Sequence, residues 1–327
     1  MKNSARGDSS TGSELKAVEE ACREASRTVE PCELCVSVVN NSSQKNPNNQ
    51  IVEDETMNNL PLTIGLSQSP ITQALFDGSV RPNGIDLKLQ TRFGDGLDNV
   101  GARHRAIIAG EIDGGELSIS SYILARLRGV PLIALPVFLS RRFRLRCMYC
   151  RADSPLQHPS ELAGKRATVH RYNATTPVWL KGILQNEFNV KPKDIEWYVA
   201  EPDIAEESLR PPPAGVQVNF ILPPRTREHA VQMVEQGEID AALEPYALHD
   251  NPKMRYLMPD FRQAEKEYFR RSGAYTTNHL FALREGIRTE HPWAVESLFA
   301  ALKDARIPWR TATAMKIRSV KPPGSTK

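Results

Sequence analysis

From residue 60 onward the chain alternates short apolar runs with amphipathic stretches. Residues 60–66 read as a strand, 67–76 as a helix opening on Ser, Gln and Ser, and Asp77-Gly78 as its stop. Residues 85–89 alternate like a second strand. Residues 104–109 read as a helix ended by Gly110, followed by a short buried strand over 113–117 and a helix over 120–127. Residues 132–139 are almost wholly apolar, as parallel strands covered on both faces tend to be. The grammar then returns, with strands predicted over 166–169 and 195–199, a helix over 175–186 and a late strand over 279–283. This alternation predicts an α/β fold of two lobes, each a mostly parallel sheet flanked by helices.

One internal echo supports two similar lobes: Gly110-Glu-Ile-Asp113 recurs as Gly237-Glu-Ile-Asp240, each time after a helical stretch and before small residues. The expected division is lobe 1 over 60–145 and 278–327, and lobe 2 over 146–277. Residues 1–59 are rich in Ser, Asn, Glu and Lys and read as a disordered polar extension, with at most a short helix over 14–29.

Composition narrows the function. With 327 residues and 40% apolar content the chain can build proper cores, so it is neither a fibre nor a repeat array. A net charge of +3, from 42 basic and 39 acidic residues, supplies no field that would collect nucleic acid. No stretch approaches the roughly 18 apolar residues of a membrane span, so a membrane partner is not expected. Residues 1–27 lack a signal-like apolar core, and the expected location is the cytoplasm. Two cysteine pairs have CxxC spacing, Cys32/Cys35 and Cys147/Cys150. The first has no paired ligands nearby, and a strand over the second would point its thiols to opposite faces, so free thiols are expected rather than a metal. No GxGxxG follows a strand, which argues against dinucleotide chemistry.

Several segments resemble a known family. Leu162-Ala-Gly-Lys-Arg-Ala-Thr-Val169 looks like the opening of the second lobe in type II periplasmic-binding-protein folds, as Gly237-Glu-Ile-Asp-Ala241 looks like a late helix-to-strand step there. Phe76-Asp-Gly-Ser-Val-Arg-Pro-Asn-Gly-Ile-Asp-Leu87, Glu116-Leu-Ser-Ile-Ser-Ser-Tyr122, Pro136-Val-Phe-Leu-Ser-Arg-Arg-Phe-Arg144 and Ala174-Thr-Thr-Pro-Val-Trp-Leu-Lys-Gly-Ile-Leu184 together resemble the 4,5-dihydroxyphthalate decarboxylase family. Asp260-Phe-Arg-Gln-Ala-Glu-Lys-Glu-Tyr-Phe269 and His291-Pro-Trp293 extend the likeness, which runs over about residues 60–305. It implies a lyase of aromatic catabolism, in phthalate degradation, that removes carbon dioxide from an aromatic dicarboxylate without a cofactor. Three departures stand out: Leu145 where the family often has His, the polar extension, and the basic, polar residues 310–327 where further helices are expected, as if the end were truncated.

The chemistry then selects residues. Decarboxylating a ring acid requires a proton at the carbon that loses carbon dioxide, cations for the carboxylates, and an acceptor for a phenol. Arg141 and Arg144 follow the apolar strand 132–139, where ligands of open α/β sheets bind, although the same run also reads as a solvated edge. Glu116, Ser118, Ser120 and Ser121 lead into a helix whose first amides suit an anion or a phenolic oxygen, and the same residues also read as an ordinary cap. Asn173, Thr175 and Thr176 hold the matching helix start in lobe 2. His279 is the candidate proton donor, with Arg141 and Glu116 beside it in the catalytic set; Glu244 and His170 are further candidates at strand ends of lobe 2. The expected partner is a small aromatic carboxylate, and the reading is compatible with a homo-oligomer. Two other readings stay open: a solute-binding protein of the ABC-transporter type, using the same cleft without a proton donor, and an inactive decarboxylase-like fragment.

Overall fold

The computed structural model describes residues 59–93, 96–97, 99–200, 214–223, 226–245 and 250–306. The expected disorder and short helix before residue 59, the Cys32/Cys35 pair and residues 310–327 lie outside the described residues.

The chain runs through β1 (Leu60–Gly65), α1 (Gln73–Phe76), β2 (Ile85–Gln90), β3 (Arg92–Phe93), β4 (Gly96–Leu97), α2 (Val100–Ala109), β5 (Gly114–Ser118), α3 (Ile119–Leu127) and β6 (Leu132–Arg141). It continues through β7 (Met148–Arg151), β8 (Arg166–Val169), α4 (Thr175–Phe188), β9 (Glu196–Val199), β10 (Val218–Phe220), α5 (Arg227–Glu235), β11 (Ala241–Leu243), β12 (Met254–Tyr256) and α6 (Phe261–Ser272). β13 (Thr277–Arg284), α7 (Glu285–Glu290) and α8 (Pro292–Ala305) follow.

These strands form two large sheets, one ordered β2-β1-β5-β13-β6 and the other β10-β9-β8-β11-β7-β12. In the first, β1 is parallel to β2 and β5, while β13 is antiparallel to both β5 and β6. In the second, β10, β9, β8 and β11 are parallel, and β7 runs against β11 and β12. Ile64, Leu66, Phe281, Leu298 and Leu302 pack one side of the first sheet. Met148, Leu162, Leu180 and Trp197 anchor the core of the second.

β6 departs from its sequence reading, because it is an antiparallel edge strand rather than an interior parallel one. Its apolar run reflects cover from β13 and the surrounding helices, which an edge strand needs as much as a central one when its faces are buried. Cys147 also departs: it sits in a 3-10 turn just before β7, so both thiols enter the same apolar cluster instead of opposite faces.

The repeated tetrapeptide builds the same device in each lobe. Gly110 and Gly237 end α2 and α5 with φ values of 74° and 80°, a backbone region that costs a side chain but not glycine. Ile112 and Ile239 are buried just after them. Asp113 accepts from Thr63 N at 2.8 Å and its own amide donates to Thr63 O at 3.0 Å. Asp240 repeats both bonds with Arg166, at 2.9 and 3.0 Å. Each Asp therefore clamps its strand to the parallel strand beside it, β1 in lobe 1 and β8 in lobe 2, and the echo is a folding device.

Two chain segments cross between the sheets, and they are tied together: Arg142 N donates to Thr276 O at 3.0 Å and the Thr276 hydroxyl donates to Arg142 O. This paired crossover is where the site begins.

Candidate functional site

β5 is buried along its whole length and carries Glu116 at its centre, opposite Phe281 of β13. The antiparallel return of β13 brings His279 opposite Ser118, and Glu116 Oε1 lies 2.6 Å from His279 Nδ1. The β13–β6 ladder changes register on both sides of His279, an irregularity of the kind that re-aims a side chain at a site. The other Glu116 oxygen is 3.3 Å from Arg103 Nη2 and accepts from Ser67 N at 3.1 Å. That last bond explains why no helix begins at Ser67. Its amide is drawn to the carboxylate, Pro70 interrupts the donor series, and the helix is confined to α1.

Burial alone would raise the Glu116 carboxyl, but His279 first and Arg103 after it hold it far below the usual carboxylate range. Glu116 is therefore an ionised partner for His279, which is half-buried. With Nδ1 donating to Glu116, Nε2 is the nitrogen left for proton exchange.

Two members of this cluster escaped the sequence reading. Helix α2 starts at Val100, with Asn99 as its cap accepting from Ala102 N at 3.0 Å, and so reaches four residues earlier than expected. Its early turns carry Arg103 at 0% and His104 at 3% exposure. A signal was present: Arg103 and His104 each stand four positions before a buried isoleucine, Ile107 and Ile108, in phase with the buried face. The rings of His104 and His279 meet edge to face at 5.4 Å. Burial, then the positive charge at His279 and Arg103, pushes His104 well below the ordinary histidine value, so it is neutral.

The helix starts of the two lobes meet as expected, with a twist. The Ser118 hydroxyl caps nothing; it pairs with Thr175 Oγ1 at 2.5 Å and Ser120 Oγ at 3.1 Å, while Ser120 and Thr175 hydroxyls are 3.0 Å apart. Ser120 N also donates to Thr175 Oγ1 at 3.3 Å. Ser121 is buried on the same turn and Asn173 is half-buried. The hydroxyls thus join the lobes instead of capping their own helices.

Arg144 is the buried arginine of the crossover. At 2% exposure it donates from Nε to Thr276 Oγ1 at 3.0 Å, from Nη1 to Thr176 Oγ1 at 2.7 Å, and from Nη2 to Asn278 Oδ1 at 3.0 Å. Every one of these acceptors is neutral, and no carboxylate of a described residue pairs with it. Burial pushes its guanidinium down to about 10. Arg141, the arginine favoured by the sequence, is exposed at the end of β6 with its guanidinium 4.9 Å from the Phe138 ring. The difference is one of turn geometry: Arg144 falls where the chain enters the crossover, Arg141 where the edge strand still faces solvent.

Lobe 2 holds a second pair. Glu244 follows β11 at 1% exposure, with Oε2 3.1 Å from His170 Nδ1 and 3.8 Å from Arg227 Nε. Among the described residues no His, Cys, Asp and Glu side chains cluster as a metal site, and no helix is long and apolar enough to cross a membrane.

No protein-family model matches the chain. Among curated proteins, the 4,5-dihydroxyphthalate decarboxylase of Comamonas testosteroni is 31% identical over 259 residues, covering 76% of this chain and 76% of the relative. The protein of the same description from Pseudomonas putida is 32% identical over 222 residues, covering 65% of this chain and 83% of the relative. Among solved structures, the periplasmic aliphatic sulphonate binding protein SsuA from Escherichia coli superposes with a TM-score of 0.52 at 14% identity, over 79% of this chain and 72% of that one. The periplasmic sulfonate-binding protein SsuA of a putative sulfonate ABC transporter from Methylobacillus flagellatus gives 0.50 at 12% identity, over 76% and 68%. At such identities these structures establish the fold, a two-lobed periplasmic-binding-protein architecture.

Proposed function

The chain belongs to the 4,5-dihydroxyphthalate decarboxylase family, and from that premise we propose that it is a carboxy-lyase acting on an aromatic dicarboxylate that carries ring hydroxyls. The observation that carries the proposal is the Glu116–His279 pair at 2.6 Å, beside a crossover that holds Arg144 without a carboxylate partner among the described residues. A solute receptor needs the cation but has no use for an ordered acid–base pair.

In the proposed reaction Arg144 holds a substrate carboxylate, and the hydroxyls of Ser118, Ser120 and Thr175 line the same region as adaptable donors. His279, protonated, gives the proton on Nε2 to the ring carbon bearing the second carboxylate. Electron release from the hydroxyl para to that carbon stabilises the resulting dienone-like cation. The carbon–carbon bond to the carboxylate then breaks, its electron pair restores the aromatic ring, and carbon dioxide leaves with a dihydroxybenzoate as the other product. Glu116 keeps His279 oriented for the transfer by holding its Nδ1. His104, neutral and packed on the His279 ring, limits rotation of the imidazole without competing for the proton. Residence in the cytoplasm belongs to the same proposal, supported by free buried thiols at Cys147 and Cys150, which suit a reducing compartment.

The test is carbon dioxide release from purified protein given 4,5-dihydroxyphthalate, with Arg144→Ala and Glu116→Gln alongside. Release from the parent protein that collapses in both variants supports the reading. Folded parent protein that binds the compound and releases nothing would sink it in favour of a binding protein.

A further inference from the structure

Glu244 is a buried carboxylate that the proposed reaction leaves unused. Its amide donates to Cys147 O at 2.8 Å, so its backbone is locked to the same crossover that carries Arg144, and Arg142 Nη1 reaches the next carbonyl, Pro245 O, at 3.4 Å. On one side Oε2 is flanked by His170 and Arg227. Yet neither carboxylate oxygen accepts a well-formed hydrogen bond from a described residue, although the side chain is 1% exposed. A carboxylate accepts and never donates, and leaving a buried acceptor unfilled is costly. The chemistry that fills it is a donor pair spaced like its two oxygens.

We infer that Glu244 accepts the vicinal ring hydroxyls of the aromatic substrate, an inference that rests on the decarboxylase reading for the identity of that substrate. Two adjacent phenols match the two oxygens of one carboxylate. A substrate carboxylate would be repelled there, so Glu244 and Arg144, fixed to one crossover, sort the two ends of the ring: acid to Arg144, hydroxyls to Glu244. A site built around a substrate hydroxyl also discriminates strongly against an analogue lacking it, since the buried acceptor is then left bare. Glu244 thereby becomes a specificity-determining residue.

The experiment is calorimetric titration of the full chain with 3,4-dihydroxybenzoate and with benzoate, for the parent protein, Glu244→Gln and Glu244→Asp. The parent should favour the dihydroxy compound by about 10-fold or more, the size expected for hydrogen bonds to a charged acceptor. Glu244→Gln should reduce that preference to about 3-fold or less at unchanged benzoate affinity, which also certifies its fold, and Glu244→Asp should keep part of it. A preference absent from the parent, or retained in Glu244→Gln, overturns the inference. Because binding is read without turnover, a parent protein that shows the preference but releases no carbon dioxide removes the decarboxylase reading and leaves Glu244 as a hydroxyl-recognising group. Release of carbon dioxide with an unaltered preference in Glu244→Gln does the reverse.

Discussion

Each lobe pairs a glutamate with a histidine, and the two pairs are made differently. In lobe 1 both Glu116 oxygens are engaged, by His279, Arg103 and the Ser67 amide, and the carboxylate lies at the middle of a strand with ladder partners on both sides. In lobe 2 Glu244 sits just past the end of β11, close to His170 and Arg227 but without well-formed hydrogen bonds among the described residues. The first arrangement is preorganised, which suits a group that must hold a proton in place through a reaction. The second keeps acceptor capacity in reserve, which suits recognition. The same short repeat leads into both, so the divergence comes from what the next residues allow.

The largest effect that would break this contrast is on turnover. His279→Ala should lower kcat by roughly 10²–10⁴-fold, whereas His170→Ala should lower it less than about 10-fold, measured as carbon dioxide release at saturating substrate. Equal losses would mean that lobe 2 shares the chemistry.

A second comparison concerns the sheets themselves, where Gly114-Gly115 in lobe 1 stands for Ala241-Ala242 in lobe 2. A Cβ on Gly115 would lie 2.1 Å from Gly65 O, at a φ of 147°, and one on Gly114 would lie 2.3 Å from Ala282 O. Gly115→Ala should therefore cost about 3 kcal/mol or more in a urea titration, while Ala242→Gly should cost only about 1 kcal/mol. If both changes cost the same, the tight approach of β1 and β13 to β5 is not what separates the lobes.

The smallest effect sharpens the lobe 1 half. His104 is held below its ordinary value in the fold, so the unfolded chain takes a proton below about pH 6.5 that the folded chain refuses. Stability present above that pH is then lost as pH falls, with a slope approaching about 1.4 kcal/mol per pH unit from this one group. Glu116 acts in the same direction lower down: its carboxylate is stabilised in the fold, so its contribution fades once the pH drops below about 4.5. Urea midpoints between pH 7 and pH 5 should show the first slope in the parent protein and a flatter line in His104→Phe, which keeps the ring contact with His279. An unchanged slope in that variant would remove His104 as the titrating group.

Much of this molecule was legible before its coordinates. The strands β1, β2, β8 and β9 fall close to where alternation and apolar runs put them, because each is a local pattern. The tetrapeptide echo pointed to two lobes, and its glycines and aspartates build matching clamps. Glu116, His279, Ser118, Ser120, Thr175, Thr176 and Arg144 were all candidates, and each has a place in one of three hydrogen-bonded groups around the crossover. What the pattern missed was phase and orientation. Helix α2 was read short because its early turns carry Arg103, His104 and Arg105, whose polar side chains mask the face they belong to. The helix over 67–76 was read long because its serines look like caps, when one of them serves a carboxylate 49 positions away.

By itself the sequence determined what its neighbours along the chain decide: where strands form, where helices stop, the family, and the residue types that decarboxylation needs. Tertiary structure decided which of those residues meet. Glu116 and His279 are 163 positions apart and become a pair only because β13 returns between β5 and β6. Arg144 rather than Arg141 is buried because the chain turns into the crossover at that point. Local preference reaches only a few residues along the backbone, whereas burial, ion pairing and the shift of a proton depend on distance in space, and that is set only when the sheets close.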